Sequence, residues 1–129
     1  VLDPHPYGTS YASSKTGSMR LTEGLAREVK DYGIQVFAVA PPAIRTGMTQ
    51  FLMDDAGAQQ YRPGVKQIFE DGKDFPPSLI SDLVVRLAKG DADLLTGRYI
   101  LPHLGLDAML ENVETILKED LWTLRIRRE

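Results

Sequence analysis

The run Ile34-Gln35-Val36-Phe37-Ala38-Val39-Ala40 is apolar on both alternating faces apart from Gln35. A strand half in water alternates polar and apolar residues, so this run reads as a strand inside a parallel sheet, with both faces covered. Such a strand needs parallel neighbours. Arg98–Leu101 is the one other short candidate in the chain. The sheet is therefore expected to be incomplete unless further polypeptide or another copy of the chain adds strands, because an apolar edge left open invites association.

The strand follows a long helical pattern. Residues 1–9 (VLDPHPYGT) hold two Pro and a Gly and read as a loop, with Ser10 or Thr9 available as N-cap. The helix then runs to about Tyr32: Met19, Leu21, Leu25, Ala26 and Val29 keep approximate helical spacing, Glu23 and Arg27 are expected to form a favourable i,i+4 pair, and Gly33 occupies a C-cap position. Gly17 and Gly24 fall nearly on one face. They imply either close approach of another element, the sheet or a partner's helix, or glycines merely tolerated in a long helix.

Near its start this helix carries Tyr11-Ala12-Ser13-Ser14-Lys15. The four-residue spacing stacks a phenol and an ammonium on one face, whereas Ser13 and Ser14 point elsewhere. A phenol titrates near ~10 in water, and a cation one turn away favours its charged form, so the pair is expected to act as a proton-transfer device with Tyr11 carrying the proton. Taken alone, the spacing also suits an ordinary helix-surface pair.

Beyond the strand the pattern weakens between Pro41 and Pro77, where short helices are possible at Gly47–Asp54 and Gly64–Glu70. A stretch of this length is expected to be a lid or disordered. Tyr7, Phe51, Met53 and Tyr61 are candidates for a pocket lining or for core. Pro77 is expected at N1 of an amphipathic helix through Leu79, Leu83, Val84 and Leu87, ended by Gly90. Leu94–Leu101, a helix from Asp107 to about Lys118 and a closing Leu121–Ile126 complete the chain.

One domain suits 129 residues with 43% hydrophobic and 26% charged content. A net charge of −3 argues against a nucleic-acid surface, with Arg125, Arg127 and Arg128 read as a solvated basic end. No Cys is present, which excludes disulfides and thiol chemistry and is compatible with a cytoplasmic protein. No signal peptide or membrane-spanning run is seen. His5 and His103 are far apart and Asp54-Asp55 reads as solvated, so no metal site is expected.

The whole stretch from Pro6 to Gln50, PYGTSYASSKTGSMRLTEGLAREVKDYGIQVFAVAPPAIRTGMTQ, resembles the short-chain dehydrogenase/reductase family in its order of parts, and LLTGRYI at 94–100 extends the likeness. The resemblance implies an α/β fold: the C-terminal part of a Rossmann-like doubly wound parallel sheet, one partial domain over 1–129, incomplete without the N-terminal half. It implies that Tyr11 exchanges a proton with the oxygen of a small-molecule alcohol or ketone while a nicotinamide exchanges hydride, and that Lys15 also holds the nicotinamide ribose. Pro41-Pro42-Ala43-Ile44-Arg45-Thr46 resembles the family's Pro-Gly-x-Val/Ile-x-Thr turn, so Pro41, Ile44 and Thr46 join Tyr11 and Lys15 as cofactor contacts. Pro42 replaces the usual Gly, which puts in doubt any contact needing an N–H or a positive φ there.

Other family parts are missing. The eleven glycines form no phosphate-binding cradle, so NAD and NADP stay undecided. The family's catalytic Ser lies further upstream than the ten residues before Tyr11 allow; Ser10 and Thr9 are too close. The chain is therefore expected to be the back half of such an enzyme and inactive alone, and a first residue Val1 rather than Met agrees with a truncated or processed chain. The family's assembly mode implies a homodimer or homotetramer through the Tyr–Lys helix and the C-terminal elements. The resemblance implies a substrate loop at about 47–76, and Asp107 falls in a C-terminal region that often borders the family's substrate site. Two rivals are a non-catalytic interaction domain on the same fold and the family's extended branch, which acts on nucleotide sugars; the short Pro-x-x-Ile-x-Thr ending and short tail favour the classical branch.

Overall fold

The computed structural model describes residues 7–126. His5, Arg127, Arg128 and the first six residues of the expected N-terminal loop lie outside the described residues.

Helix α1 spans Thr9–Glu28. Its N-cap is Gly8, without a side-chain cap; Thr9 and Ser10 are already helical, so neither fills the expected capping position. The Gly8 carbonyl accepts the first helical hydrogen bond, from Ala12 N–H at 2.8 Å. The α-helix stops four residues short of Tyr32, where a 3-10 turn at Lys30–Tyr32 takes over, and Gly33 closes it at φ 68° in the left-handed region that glycine enters without strain. Glu23 does not turn to Arg27. Only 6% exposed, it pairs with Arg20 at 2.5 Å and Arg125 at 3.4 Å and accepts the Leu124 N–H at 2.5 Å. A buried carboxylate needs partners on the inner side, and Arg27 lies outside.

The sheet is parallel, as expected, but short: β1 at Ala38–Val39 pairs with β2 at Tyr99–Ile100. Extended backbone continues the pairing on either side, through Gly97 N–H to the Val36 carbonyl at 2.7 Å and Ala40 N–H to the Ile100 carbonyl at 3.0 Å. Ile34 and Gln35 are exposed and Val36 to Val39 only half-buried, contrary to the expectation of burial on both faces. The reason is architectural: among the described residues β1 has one strand neighbour, so its outer side stays open.

Between the strands lie three short helices, α2 (Gly47–Asp54), α3 (Ala56–Tyr61) and α4 (Pro63–Glu70), which pack mainly on one another as a small helical cap. The first matches its expected limits and the third gains Pro63. The middle helix replaces expected loop because Asp55 caps it, accepting the Ala58 N–H at 2.8 Å, while Asp54 accepts from Gln50. The Asp54-Asp55 pair is exposed, as expected, and its carboxylates also bond locally.

Helix α5 spans Ser78–Ala88, with Pro77 at the N-cap rather than N1. Leu83 is buried and Leu79 and Leu87 half-buried, but Val84, expected on the apolar face, is 49% exposed. The expected C-terminal helix is broken at Asn112 into α6 (Leu106–Glu111) and α7 (Val113–Lys118). Leu121–Ile126 runs alongside without forming a strand, and Trp122 accepts the Tyr99 N–H at 2.9 Å. The core gathers Leu83, Ala92, Leu95, Ile100, Leu106, Met109 and Ile116, so it lies between β2 and the C-terminal helices.

An added Cβ at Gly17 or Gly24 would meet nothing within 4 Å, so no element of the described chain approaches there. The close approach to α1 falls instead at Gly97, φ 79°, whose Cβ position lies 3.2 Å from the Ala26 methyl. Among the described residues no helix is long and apolar enough to cross a membrane.

Candidate active site

The first turns of α1 carry the candidate pair. Tyr11 is 41% exposed, and the Lys15 ammonium lies 5.5 Å from its ring centroid, over the ring face. A cation there is attracted by the ring quadrupole, so the helix spacing becomes a real contact. The pair borders a cleft of 310 Å³ between α1 and the strand segment 37–41. Further along the same helix face, Ser18, Met19 and Thr22 line it, and Tyr99 of β2 closes it. Burial, and then the Tyr11 phenol, push the Tyr99 phenol above its ordinary range. Sequence reasoning overlooked these lining residues, although positions 11, 15, 18, 19 and 22 share one helical face and would have betrayed them.

Pro41 joins Tyr11 and Lys15 at the cleft, whereas Ile44 and Thr46 are not among its lining residues. They sit in the following turn. The Thr46 hydroxyl caps α2, accepting the Thr49 N–H at 3.2 Å, while the Thr49 hydroxyl accepts the Thr46 N–H at 2.8 Å and lies 3.0 Å from the Ile44 carbonyl. Local bonds thus occupy the Thr46 hydroxyl and the Ile44 carbonyl. Pro42 is accommodated without a positive φ, so the turn needs no glycine there.

Arg45 was not singled out by sequence, yet it fixes this turn. Its Nε donates to Asp74 at 3.0 Å and its guanidinium lies 5.1 Å from the Phe69 ring centroid. One residue on from Asp74, Phe75 donates its N–H to the Ala43 carbonyl at 2.9 Å. Both ends of the 47–76 segment are therefore pinned at one neck beside the turn.

The aromatic candidates separate. Tyr7 and Tyr61 meet each other, with centroids 4.4 Å apart and planes tilted by 56°, which joins the entry to α1 with the end of α3. Phe51 is exposed and Met53 half-buried; none of the four lines the Tyr11 cleft. Asp107 is exposed and held 2.8 Å from Arg86, which keeps its carboxyl below the usual carboxylate range. His103 sits 6.0 Å from the Phe75 ring. Among the described residues no group of three or more His, Cys, Asp or Glu could hold a metal ion.

The family model for short chain dehydrogenases matches residues 2–57, which include Tyr11, Lys15 and the 41–46 turn. The chain is 37% identical over 89 residues to the 3-oxoacyl-(acyl-carrier-protein) reductase of Vibrio harveyi, a match over 69% of this chain and 34% of that protein. It is 32% identical over 101 residues to dehydrogenase/reductase SDR family member 4 of Bos taurus, covering 78% of the chain and 35% of the relative. Against the (3R)-3-hydroxyacyl-CoA dehydrogenase of Mus musculus it is 35% identical over 89 residues, covering 69% and 32%. The matches thus take in about a third of these relatives' length. No solved structure matches the chain significantly.

Proposed function

The chain belongs to the short-chain dehydrogenase/reductase family, and from that premise we propose that it carries the proton-transfer pair of an NAD(P)-dependent oxidoreductase interconverting an alcohol and a ketone. The observation that carries this reading is the Tyr11–Lys15 stack at the mouth of a cleft. In the reducing direction the Tyr11 O–H donates its proton to the substrate carbonyl oxygen; in the oxidising direction the Tyr11 oxygen accepts it from the alcohol. Lys15 holds positive charge beside the phenol where negative charge develops. The names of two relatives, a 3-oxoacyl reductase and a 3-hydroxyacyl dehydrogenase, describe the two sides of one such couple and support the alcohol/ketone class.

The residues present fit one end of a dinucleotide. Tyr11, Lys15 and Pro41 at the cleft, with Ile44 and Thr46 in the next turn, would hold the nicotinamide and its ribose, and the nicotinamide would supply or receive the hydride. The pyrophosphate end lacks a comparable set. The positive-φ glycines of the described residues, at 33, 72, 90, 97 and 105, are scattered, and the space above Gly97 is taken by Ala26. NAD and NADP serve the proposal equally, and the chain alone is inactive in it. Self-assembly as a homodimer or homotetramer would use the outer face of α1, and the proposal takes the protein to be cytoplasmic, with which a chain without Cys is compatible. The exposed Leu21 and Leu25 on α1 support a second reading, a non-catalytic interaction domain.

A chimaera in which residues of this chain replace the matched region of the Vibrio harveyi reductase tests the roles. It should reduce a 3-oxoacyl thioester with NADH or NADPH. Tyr11→Phe should lower kcat by about 10²–10⁴, and Lys15→Met should lower kcat and raise the KM for the dinucleotide together. A folded chimaera without activity gives the interaction reading first place, and full activity in Tyr11→Phe removes the tyrosine from the chemistry.

A further inference from the structure

We infer that a second cavity, bordered by Arg98, Arg27 and Lys30 and separate from the Tyr11 cleft, is a binding site for a small carboxylate with an apolar body. The starting point is a buried guanidinium that uses one nitrogen only. The Arg98 side chain is 10% exposed, and its Nη1 donates to the Leu121 carbonyl at 2.9 Å and to Asp120 at 3.2 Å. Its Nε is buried with no acceptor, and its Nη2 makes no hydrogen bond among the described residues. Nε–H and the neighbouring Nη2 form the edge of a guanidinium that receives both oxygens of a carboxylate, so the side of Arg98 left unused is the bidentate one. Burial, opposed by the charge of Glu23, holds this guanidinium below its ordinary value. A carboxylate on the free edge would satisfy the orphaned donor and support the buried charge.

The surroundings supply the rest of such a site. Arg98 lines a cavity of 260 Å³, one wall of which is the α1 face carrying Glu23, Ala26, Arg27 and Lys30 at spacings of three and four. Arg27 and Lys30 are exposed and make no ion pair or hydrogen bond among the described residues. Glu23 and Asp120 also border the cavity, but both carboxylates are already engaged. Arg20, Arg125 and the Leu124 N–H hold Glu23, and Arg98 and Arg125 hold Asp120. Cations therefore outnumber acids here in a chain whose net charge is −3, and a local positive field of this kind concentrates anions.

The lining decides between carboxylate and phosphate. Ala26, Leu94 and Leu117 present apolar surface to the cavity, and Leu94 is 64% exposed without a ligand. Inorganic phosphate gains nothing from covering that surface, whereas the chain behind a carboxylate removes it from water. The volume lies at the small end of ligand pockets, which limits the body to a short one. Glu23 stands about 18 Å along α1 from Tyr11, so the ligand takes no part in proton transfer. Its effect would be to fasten α1 to Arg98 and the C-terminal segment.

The site stands whether or not Tyr11 transfers a proton, and its test is a binding measurement. The 129-residue chain is titrated with sodium butyrate in a phosphate-free, low-chloride buffer while NMR follows the arginine Nε–H signals. The Arg98 signal is recognised by the slow exchange of a buried N–H and by its loss in Arg98→Lys. It should shift and saturate at millimolar butyrate, with no such response to butanol. Acetate, shorter by two CH₂ groups, should bind about tenfold more weakly. Lys30→Glu, at an exposed position, should abolish the saturable shift, and this variant carries the test should Arg98→Lys not fold. Absence of a saturable shift in the wild-type chain overturns the inference, as does equal affinity for acetate and butyrate or binding undiminished by Lys30→Glu.

Discussion

At Gly97 a single residue decides how closely α1 can lie on the strand that follows. Its φ of 79° belongs to glycine, and a methyl there would sit 3.2 Å from the Ala26 methyl, tighter than ordinary contact. Gly97→Ala should therefore cost about 1–3 kcal/mol, read as a lower urea midpoint. Gly17→Ala should do the opposite, raising stability by about 0.5–1 kcal/mol, because Gly17 is helical with open space above it. The contrast was not visible in sequence. Gly17 and Gly24 attracted notice by their spacing in a helix, whereas Gly97 stands in a turn where a glycine is unremarkable and only the fold reveals what it touches.

Between elements, ion pairs do part of the fastening. Arg86 of α5 reaches both Asp91 at 2.9 Å and Asp107 of α6 at 2.8 Å. Arg86 holds the Asp107 carboxyl below its usual range, first by hydrogen bonding and then by its charge. A depressed carboxyl pKa stabilises the fold above the unfolded-state value and loses that contribution as pH falls through the folded one, so this link weakens only in acid. NMR titration of Asp107 should give a midpoint under the ordinary aspartate value, and Arg86→Leu should bring it back up. At this scale the sequence was most legible where local chemistry rules: α2 matched its limits, and Gly33 ended its helical segment as expected. It was least legible where a side chain serves a distant partner. Glu23 read as a helix-surface charge four residues from Arg27, yet its burial is set by the returning residues Leu124 and Arg125, a hundred positions on. The candidate site divides in the same way: the Tyr11–Lys15 contact is local and was readable, while Tyr99 reaches the cleft only through the pairing of two strands.

For the whole molecule, the outer face of α1 leaves apolar surface unburied. Leu21 is 68% exposed and Leu25 37%, on a helix whose glycine at 17 leaves room for a neighbour. The proposed self-assembly through that face is checked by sedimentation at micromolar concentration: a dimer or tetramer is expected, Leu21→Lys should shift it toward monomer, and a wild-type monomer would rule the assembly out.

The pairing of β1 with β2 also sets an order of events in time. Val36 and Thr96 meet across the sheet although 60 positions separate them, whereas the bonds of α1 and of the cap helices close within a few residues. Loop closure over such a span has to precede any gain from the contact, so the helices are the fast part of folding and the sheet the slow part. Within this chain, Ile34–Ala40 can pair with Tyr99–Ile100 only after the residues between them have been made, so that pairing is a late event.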